Sequence, residues 1–423
     1  MSEGQWSRLA NTTVTYAGGT PDRSKEAYFG GSIPWVKSTE VNLGKIFATE
    51  ETLSELGFAS SAAKWIPANT VLVALYGATA AQVGFLTFRA TANQAVLAVV
   101  ANNDLDSTFL FYALTEAKER LLFLAQGSGQ PNLNKQIVDN LRLRIPPLAQ
   151  QRKIARILTT LDSLIEKTES LIAKYQSIKQ GMMADLFTRG VDANGKLRPP
   201  QSAAPELYKQ SELGWIPKEW EVERFGDACE KVSVGIATST TEHFRERGVP
   251  LLRNQNIHAT GIETDDILFI SPQFDEINRS KRIRENDILT MRTGYPGKSA
   301  LVSPEMDGWQ TFTTLISHPI ESKYRPDFMV RQINSDLCMT QIQALQGGGA
   351  QQNLNVGWFV TLLVMRPSLT EQQTIVTRLS EIGANIRRNE LLRKKYSELK
   401  NGLMQDLLTG KVPVKPDEYE EAA

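Results

Sequence analysis

The chain has 423 residues, with 47 Lys+Arg against 47 Asp+Glu and a formal net charge of zero. That length allows two or three domains with their own cores, and the even charge counts against the broad basic footprint of a stand-alone nucleic-acid binder. Two cysteines (Cys229, Cys338) and three histidines (His243, His258, His318) at no ligand spacing exclude a disulfide framework and argue against a zinc site.

Packed thiols and no bound metal are therefore expected. Residues 1–8 show neither the basic start nor the apolar core of a secretory signal. The most apolar run, Val71–Leu86, is broken by Gly77, Gln82 and Gly84 and falls short of the roughly 20 residues a membrane helix needs. No membrane partner is expected, and the expected setting is cytoplasmic.

Residues 1–146 read as a mixed α/β globule. Thr70–Tyr76 is rich in aliphatic and β-branched residues and stands between Asn69 and Gly77, which predicts a buried strand. Ala92–Val100 is a second candidate. Asp106–Leu124 has helical spacing and predicts one helix ending before Gly127-Ser128-Gly129.

Residues 147–189 differ in kind. Ile154, Leu158, Leu161, Ile165, Thr168, Ile172, Tyr175, Met182 and Leu186 form a heptad seam, with Lys179 filling its one gap. A second row at Ile157, Leu164, Leu171 and Ile178 widens the apolar face. Residues 190–218 hold Asn194-Gly195, Pro199-Pro200 and Ala203-Ala204-Pro205, a linker composition expected not to pack a core. Residues 219–366 match the first globule in size, 367–409 form a second long helix, and 410–423 read as a disordered tail.

The two helices are copies. Asn132, Leu133, Asn134, Pro146, Leu148, Gln151 and Ile154 recur as Asn353, Leu354, Asn355, Pro367, Leu369, Gln372 and Ile375, each 221 positions on. The match continues from Tyr175, Lys179, Gly181, Met183, Asp185, Leu186 and Thr188 to Tyr396, Lys400, Gly402, Met404, Asp406, Leu407 and Thr409. The second seam carries Ile375, Leu379, Ile382, Ile386 and Tyr396, and Thr370 with Gln373 fits a capping box. The globules share only landmarks: Trp6 with Trp220, Ile33–Val36 with Val249–Leu252, and Gly77 with Gly294. The fold class is thus α+β: two mixed α/β globules joined by two long helices in an antiparallel coiled coil, with a pseudo-twofold internal repeat. Thr168 and Asn389, polar residues at one seam position, can fix its register.

Catalytic constellations are missing. Gly294–Ser299 mimics a phosphate loop, but its first required glycine is Arg292, so a turn between strands is the better reading. Pro326-Asp327 with Glu398-Leu399-Lys400 resembles a nuclease motif only by chance, because Glu398 lies on a long helix. No metal or catalytic residue is assigned.

Several loops carry the residue types that read nucleic acid. Arg253, Asn254, Gln255 and Asn256 suit base edges. Arg279, Lys281, Arg282 and Arg284 suit phosphates. Arg292, Thr293 and Tyr295 add a cation and an aromatic ring beside Gly294. The first globule offers Thr20, Trp35, Lys37, Ser38, Tyr76 and Thr79 at parallel places.

The order of these motifs resembles the specificity (S) subunits of type I restriction–modification systems. The resemblance rests on Gly18-Gly19-Thr20-Pro21, Gly31–Ser38, Gly77-Ala78-Thr79, Asn93-Gln94-Ala95, Gly127–Leu133, Ile145–Leu148, Leu213–Pro217, Trp220-Glu221, Leu251–Ile257 and Leu407–Lys411. It implies that each globule reads one half of a bipartite, asymmetric target in double-stranded DNA. It implies that the helices space the globules and dock two modification (methyltransferase) subunits, through the seam residues together with Gln151 and Gln372. Under the same resemblance the chain binds no cofactor and is no enzyme by itself. S-adenosylmethionine, ATP and Mg2+ serve the partners, which include restriction subunits. One departure is Gln150-Gln151-Arg152 where the second copy has Glu371-Gln372-Gln373; the family usually shows the acidic form. Two other readings are a coiled-coil scaffold whose globules bind something other than DNA, and a methyltransferase specificity subunit without restriction.

Overall fold

A computed structural model describes residues 5–125, 131–345 and 353–415. Gly127, Gly129, Gln130 and Gln351, the last two also 221 positions apart, and tail residues 416–423 lie outside that set. The chain divides into two compact units: residues 1–170 with 389–423, and residues 171–388.

The first unit is built around a five-stranded sheet in the order Thr13–Ala17, Val96–Ala101, Thr70–Ala74, Val83–Leu86, Lys45–Ile46. Its middle strand, Thr70–Ala74, is buried along its whole length. Side chains alternate across a strand, so Val71 and Val73 enter one core while Leu72 and Ala74 enter another. Beside it lies a three-stranded sheet of Glu51–Leu53, Phe29–Val36 and Thr91–Ala92. Gln5–Arg8 pairs with Arg142–Ile145 and closes the globule just before the first long helix.

The second unit repeats this plan. A four-stranded sheet runs Cys229–Val234, Leu315–Pro319, Ile288–Thr290, Ser299–Leu301. Ile288 and Leu315 face one core, Leu289 and Ile316 another. A second sheet runs Phe244–Arg245, Leu268–Ile270, Val249–Leu252, Gln310–Thr311. Glu221–Arg224 pairs with Leu363–Arg366 as the closing pair. The parallel pairings Trp35↔Thr91 and Leu251↔Gln310 put Ile33–Val36 and Val249–Leu252 at equivalent places.

The long helices are Leu148–Thr188 and Leu369–Thr409, of 41 residues each. At ~1.5 Å per residue each is about 60 Å long. In the first unit Asp162 pairs with Lys400 at 2.5 Å and Glu169 with Arg393 at 3.9 Å. A step forward on one helix matches a step back on the other, so the pairing is antiparallel. There Ile154, Ala155 and Leu158 share a core with Met404, Leu407 and Leu408. In the second unit Leu186 and Phe187 share a core with Ile375, Val376 and Leu379. Fully burying a leucine or isoleucine in such a seam stabilises by about 1.5–3 kcal/mol.

Five expectations change. The helix forecast for Asp106–Leu124 is two helices, Ser107–Glu116 and Lys118–Leu124, meeting at Ala117. Its N-cap is Asp106, which accepts from Phe109 N–H. The second long helix is capped by Ser368, whose Oγ accepts from Glu371 N–H at 3.3 Å. Thr370 therefore lies inside the first turn and forms no capping box. The second apolar row is covered only at its start: Ile157 packs on the core, but Leu171 and Ile178 are exposed. Thr168 is buried, yet its Oγ1 donates to Leu164 O of its own helix, so it carries no bond across the seam.

The fifth concerns residues 190–218. Tyr208–Ser211 and Gly214–Pro217 form a hairpin, and Val191 and Ile216 enter the core of the second unit. Arg198 donates to Glu371 at 2.5 and 3.2 Å, and Trp220 Nε1 and Val191 N–H donate to the same carboxylate. Composition conceals this docking because the packed residues are few and the anchor is a buried ion pair. Cys229 and Cys338 are packed thiols in that core, and burial pushes both up to about 12.

Candidate nucleic-acid interface

In the first unit one short loop organises the site. Gly19 N–H donates to Ala92 O, Asn93 N–H to Val36 O, and Leu75 N–H to Ala95 O. The candidates Thr20, Lys37 and Tyr76 each follow one of the residues so tied. Thr20 also hydrogen-bonds Gln94. Gln94 is thereby a further candidate, signalled in sequence by Asn93-Gln94-Ala95. Tyr76 is exposed, and Thr79 Oγ1 donates to Tyr76 O within the same turn. Gly77 there has φ +71°, as a turn that projects its neighbours requires.

Lys37 Nζ pairs with Glu50 at 2.7 Å and Glu51 at 3.1 Å, and these carboxylates raise its pKa. Its backbone N–H is held by the buried Glu40 carboxylate. Ser38 is half-buried beside it. Trp35 is a correction: it is wholly buried, and its Nε1 donates to Gly19 O. It shapes the floor of the loops and is not available to stack on a base. Arg23 lies over the Trp35 ring at 4.7 Å instead.

The second unit builds the same platform from other residues. Phe312 N–H donates to Leu252 O and Ile236 N–H to Thr311 O. Arg253 N–H is held by Asn256 Oδ1, as Lys37 N–H is by Glu40. Asn256 is buried and also donates to Glu263 O and Asp266 O, so it positions the loop and presents no edge to a base. Arg253 and Gln255 both bond Asp266, at 2.9 and 2.8 Å. Asn254 Nδ2 donates to Thr293 Oγ1 at 2.8 Å, which brings the two sequence-distant loops together.

Gly294–Ser299 belongs to the turn between Ile288–Thr290 and Ser299–Leu301. Gly294 has φ +79°, matching Gly77. Leu354 N–H donates to Arg292 O as Leu133 N–H donates to Leu75 O, so Tyr76 and Thr293 are equivalent. Arg292 Nε is spent on Leu354 O. Tyr295 is well exposed, with Lys298 Nζ 4.3 Å from its ring centre.

The basic run divides. Arg282 binds Asp275 at 2.6 Å and Glu276 at 2.8 Å, and these carboxylates raise its pKa. Arg279 is shared with Glu276, and Lys281 Nζ donates to Gly235 O. Arg284 is exposed and has no ion-pair partner among the described residues. Lys37, Arg253, Arg279 and Arg282 are thus balanced by carboxylates, which a phosphate backbone would have to displace.

Gln151 and Gln372 are also corrected. Gln151 Nε2 donates to Asp104 O and Pro146 O, and its Oε1 accepts from Asp106 N–H. Gln372 makes the same three bonds with Lys323 O, Pro367 O and Arg325 N–H. Both are buried anchors that fix a helix start to its globule, not surfaces for a partner. Of the seam residues, Ile154, Leu158, Leu161, Ile172, Ile375, Leu379 and Ile386 are buried. Ile165, Tyr175, Ile382 and Tyr396 are half-buried.

Two sheet-built loop platforms, each mounted on one of two copied antiparallel helices, define a duplicated reader. The family model of the type I restriction modification DNA specificity domain matches residues 13–175 and 217–401, and the chain belongs to that family. It is 26% identical over 319 residues to the type I restriction enzyme MjaVIII specificity subunit of Methanocaldococcus jannaschii, covering 74% of this chain and 72% of that protein. It is 24% identical over 176 residues to the EcoR124I/EcoR124II specificity subunit of Escherichia coli, covering 40% and 44%. The fold matches the type I restriction–modification S subunit from M. genitalium with TM-score 0.59 at 14% identity, over 96% of both chains. A structure from work on assembly and conformational transition of the type I system matches with TM-score 0.57 at 14% identity, over 96% and 98%. The role of this chain is DNA sequence specificity in a type I restriction–modification system. No helix among the described residues is long and apolar enough to cross a membrane.

Proposed function

We propose that each globule reads one half of a bipartite, asymmetric target in double-stranded DNA. The observation that carries this is the pair of equivalent loop platforms with different side chains. Lys37, Ser38 and Tyr76 occupy one, and Arg253, Asn254 and Thr293 occupy the other. Equal frames with unequal reading groups suit unequal half-sites, and each good bidentate base contact discriminates by about 1–3 kcal/mol. The two long helices set the unread gap and carry two modification subunits. The chain itself does no chemistry. S-adenosylmethionine belongs to the modification subunits, and ATP with Mg2+ to restriction subunits. Co-expression with the modification subunit, followed by genome-wide mapping of methylated adenines, tests the reading. One bipartite motif with two different halves is expected; methylation with no such motif refutes it.

A further inference from the structure

The two units differ at one place inside the helix pair. In the first unit Tyr112 Oη donates to Asp162 Oδ2 at 2.5 Å and lies 3.3 Å from Thr159 Oγ1. Lys400 pairs with Asp162 and lies 5.5 Å from the Tyr112 ring centre. Glu166 acts on the same tyrosine from one turn further along. The group is closed: a carboxylate joins the phenol and the ammonium.

The repeat places Ser380, Gly383, Arg387 and Lys179 at the positions of Thr159, Asp162, Glu166 and Lys400, each 221 residues away. Arg331 takes the place of Tyr112. Both stand six residues after the residue whose N–H donates to the anchoring glutamine, Asp106 in one unit and Arg325 in the other. The contact is kept, since Arg331 Nη2 donates to Ser380 Oγ at 2.8 Å. Both acids are gone. One glycine and one arginine replace them, so these positions carry three cations (Lys179, Arg331, Arg387) where the first unit has one cation and two carboxylates.

No carboxylate lies within ion-pair distance of these three among the described residues. Asp327 attracts Arg331 from further off, but its own partner is Arg325 at 2.9 Å. Arg331 Nε is buried with no hydrogen-bond partner. At Gly383 the Arg387 Nη1 stands 3.4 Å from where a side-chain carbon would begin, with no other side chain within 4 Å. Burial first, and then the neighbouring cations, lower the pKa of Lys179. Three like charges gathered around an open position, one of them with a free buried donor, lack an anion.

We propose that Lys179, Arg331 and Arg387 form a binding site for a small tetrahedral oxoanion, seated beside Gly383 where the first unit uses the Asp162 carboxylate. The planar guanidinium fork suits phosphate-type oxygens. The site makes the second unit's helix pair sensitive to inorganic phosphate and leaves the first unit's pair insensitive.

The test is hydrogen exchange of the full-length chain in inorganic phosphate against chloride at equal ionic strength. Exchange over residues 376–388 and around Lys179 should slow about tenfold or more as phosphate saturates the site. Gly383→Asp supplies the missing carboxylate, so its exchange should already be slow without phosphate and should not respond to it. Arg331→Gln should raise the half-saturating phosphate concentration about tenfold; Lys179→Gln serves if that variant does not fold. No phosphate response over 376–388 overturns the proposal. So does a response that survives in Gly383→Asp, or one confined to the loops at 253–298.

Discussion

Gln151 and Gln372 make the same three backbone bonds at the starts of the two long helices, yet the residues just before them have different jobs. Glu371 holds Arg198, Trp220 and Val191 in a buried cluster. Gln150 is half-buried, and Trp6 is not the counterpart of Trp220 that the landmarks suggest: the closing strand pairs set Trp6 level with Val222. Bonds from a side chain to the main chain survive duplication because both copies retain the same backbone. Bonds between side chains last only where the partner segment is also present, and only the second unit has residues 190–218 to hold.

This contrast can be broken most forcefully by exchange. Replacing residues 171–388 with the matching unit of a homologue should change one half of the methylated motif completely and leave the other half as it was. A change in both halves, read from methylated-adenine maps, would sink the idea of independent readers.

Next in size is Glu371→Gln. It leaves the buried Arg198 with only the longer pairing to the exposed Glu219 at 3.7 Å, a loss of about 3 kcal/mol in the stability of the second unit. Gln150→Glu, at the equivalent place, should shift stability by no more than about 0.5 kcal/mol. Denaturant unfolding that reports on each unit separates the two, and equal effects would show that the linker is not docked.

Smaller still, Gln151→Ala and Gln372→Ala should each cost about 2–3 kcal/mol, because buried backbone groups lose partners. The two losses should agree within about 0.5 kcal/mol. A twofold difference would mean that the anchors are alike in geometry only.

The duplicated helices and the equivalent strands were legible because period and spacing record them directly. The antiparallel direction followed from having a whole globule between the copies. The reading loops were legible as loops but not in detail. Trp35 looks like a stacking residue in sequence, yet an alternating strand points it into the core. Asn256 looks like a base reader, yet its amide is used by the main chain. Gln94 stands in the motif Asn93-Gln94-Ala95, but only the hydrogen bonds of its loop show that it meets Thr20. The docking of residues 190–218 is hidden from composition, which counts apolar residues and cannot see one buried carboxylate with three donors.

The first unit is made from both ends of the chain, whereas the second is continuous. The order of synthesis therefore matters. Residues 171–388 can close on themselves as soon as they emerge. Ile154 and Leu158 must wait for Met404, Leu407 and Leu408, which share their core. At ~5–20 residues per second the delay is roughly 12–50 s. During that time the globule made first stands with an apolar helix face uncovered, until Met404, Leu407 and Leu408 cover it.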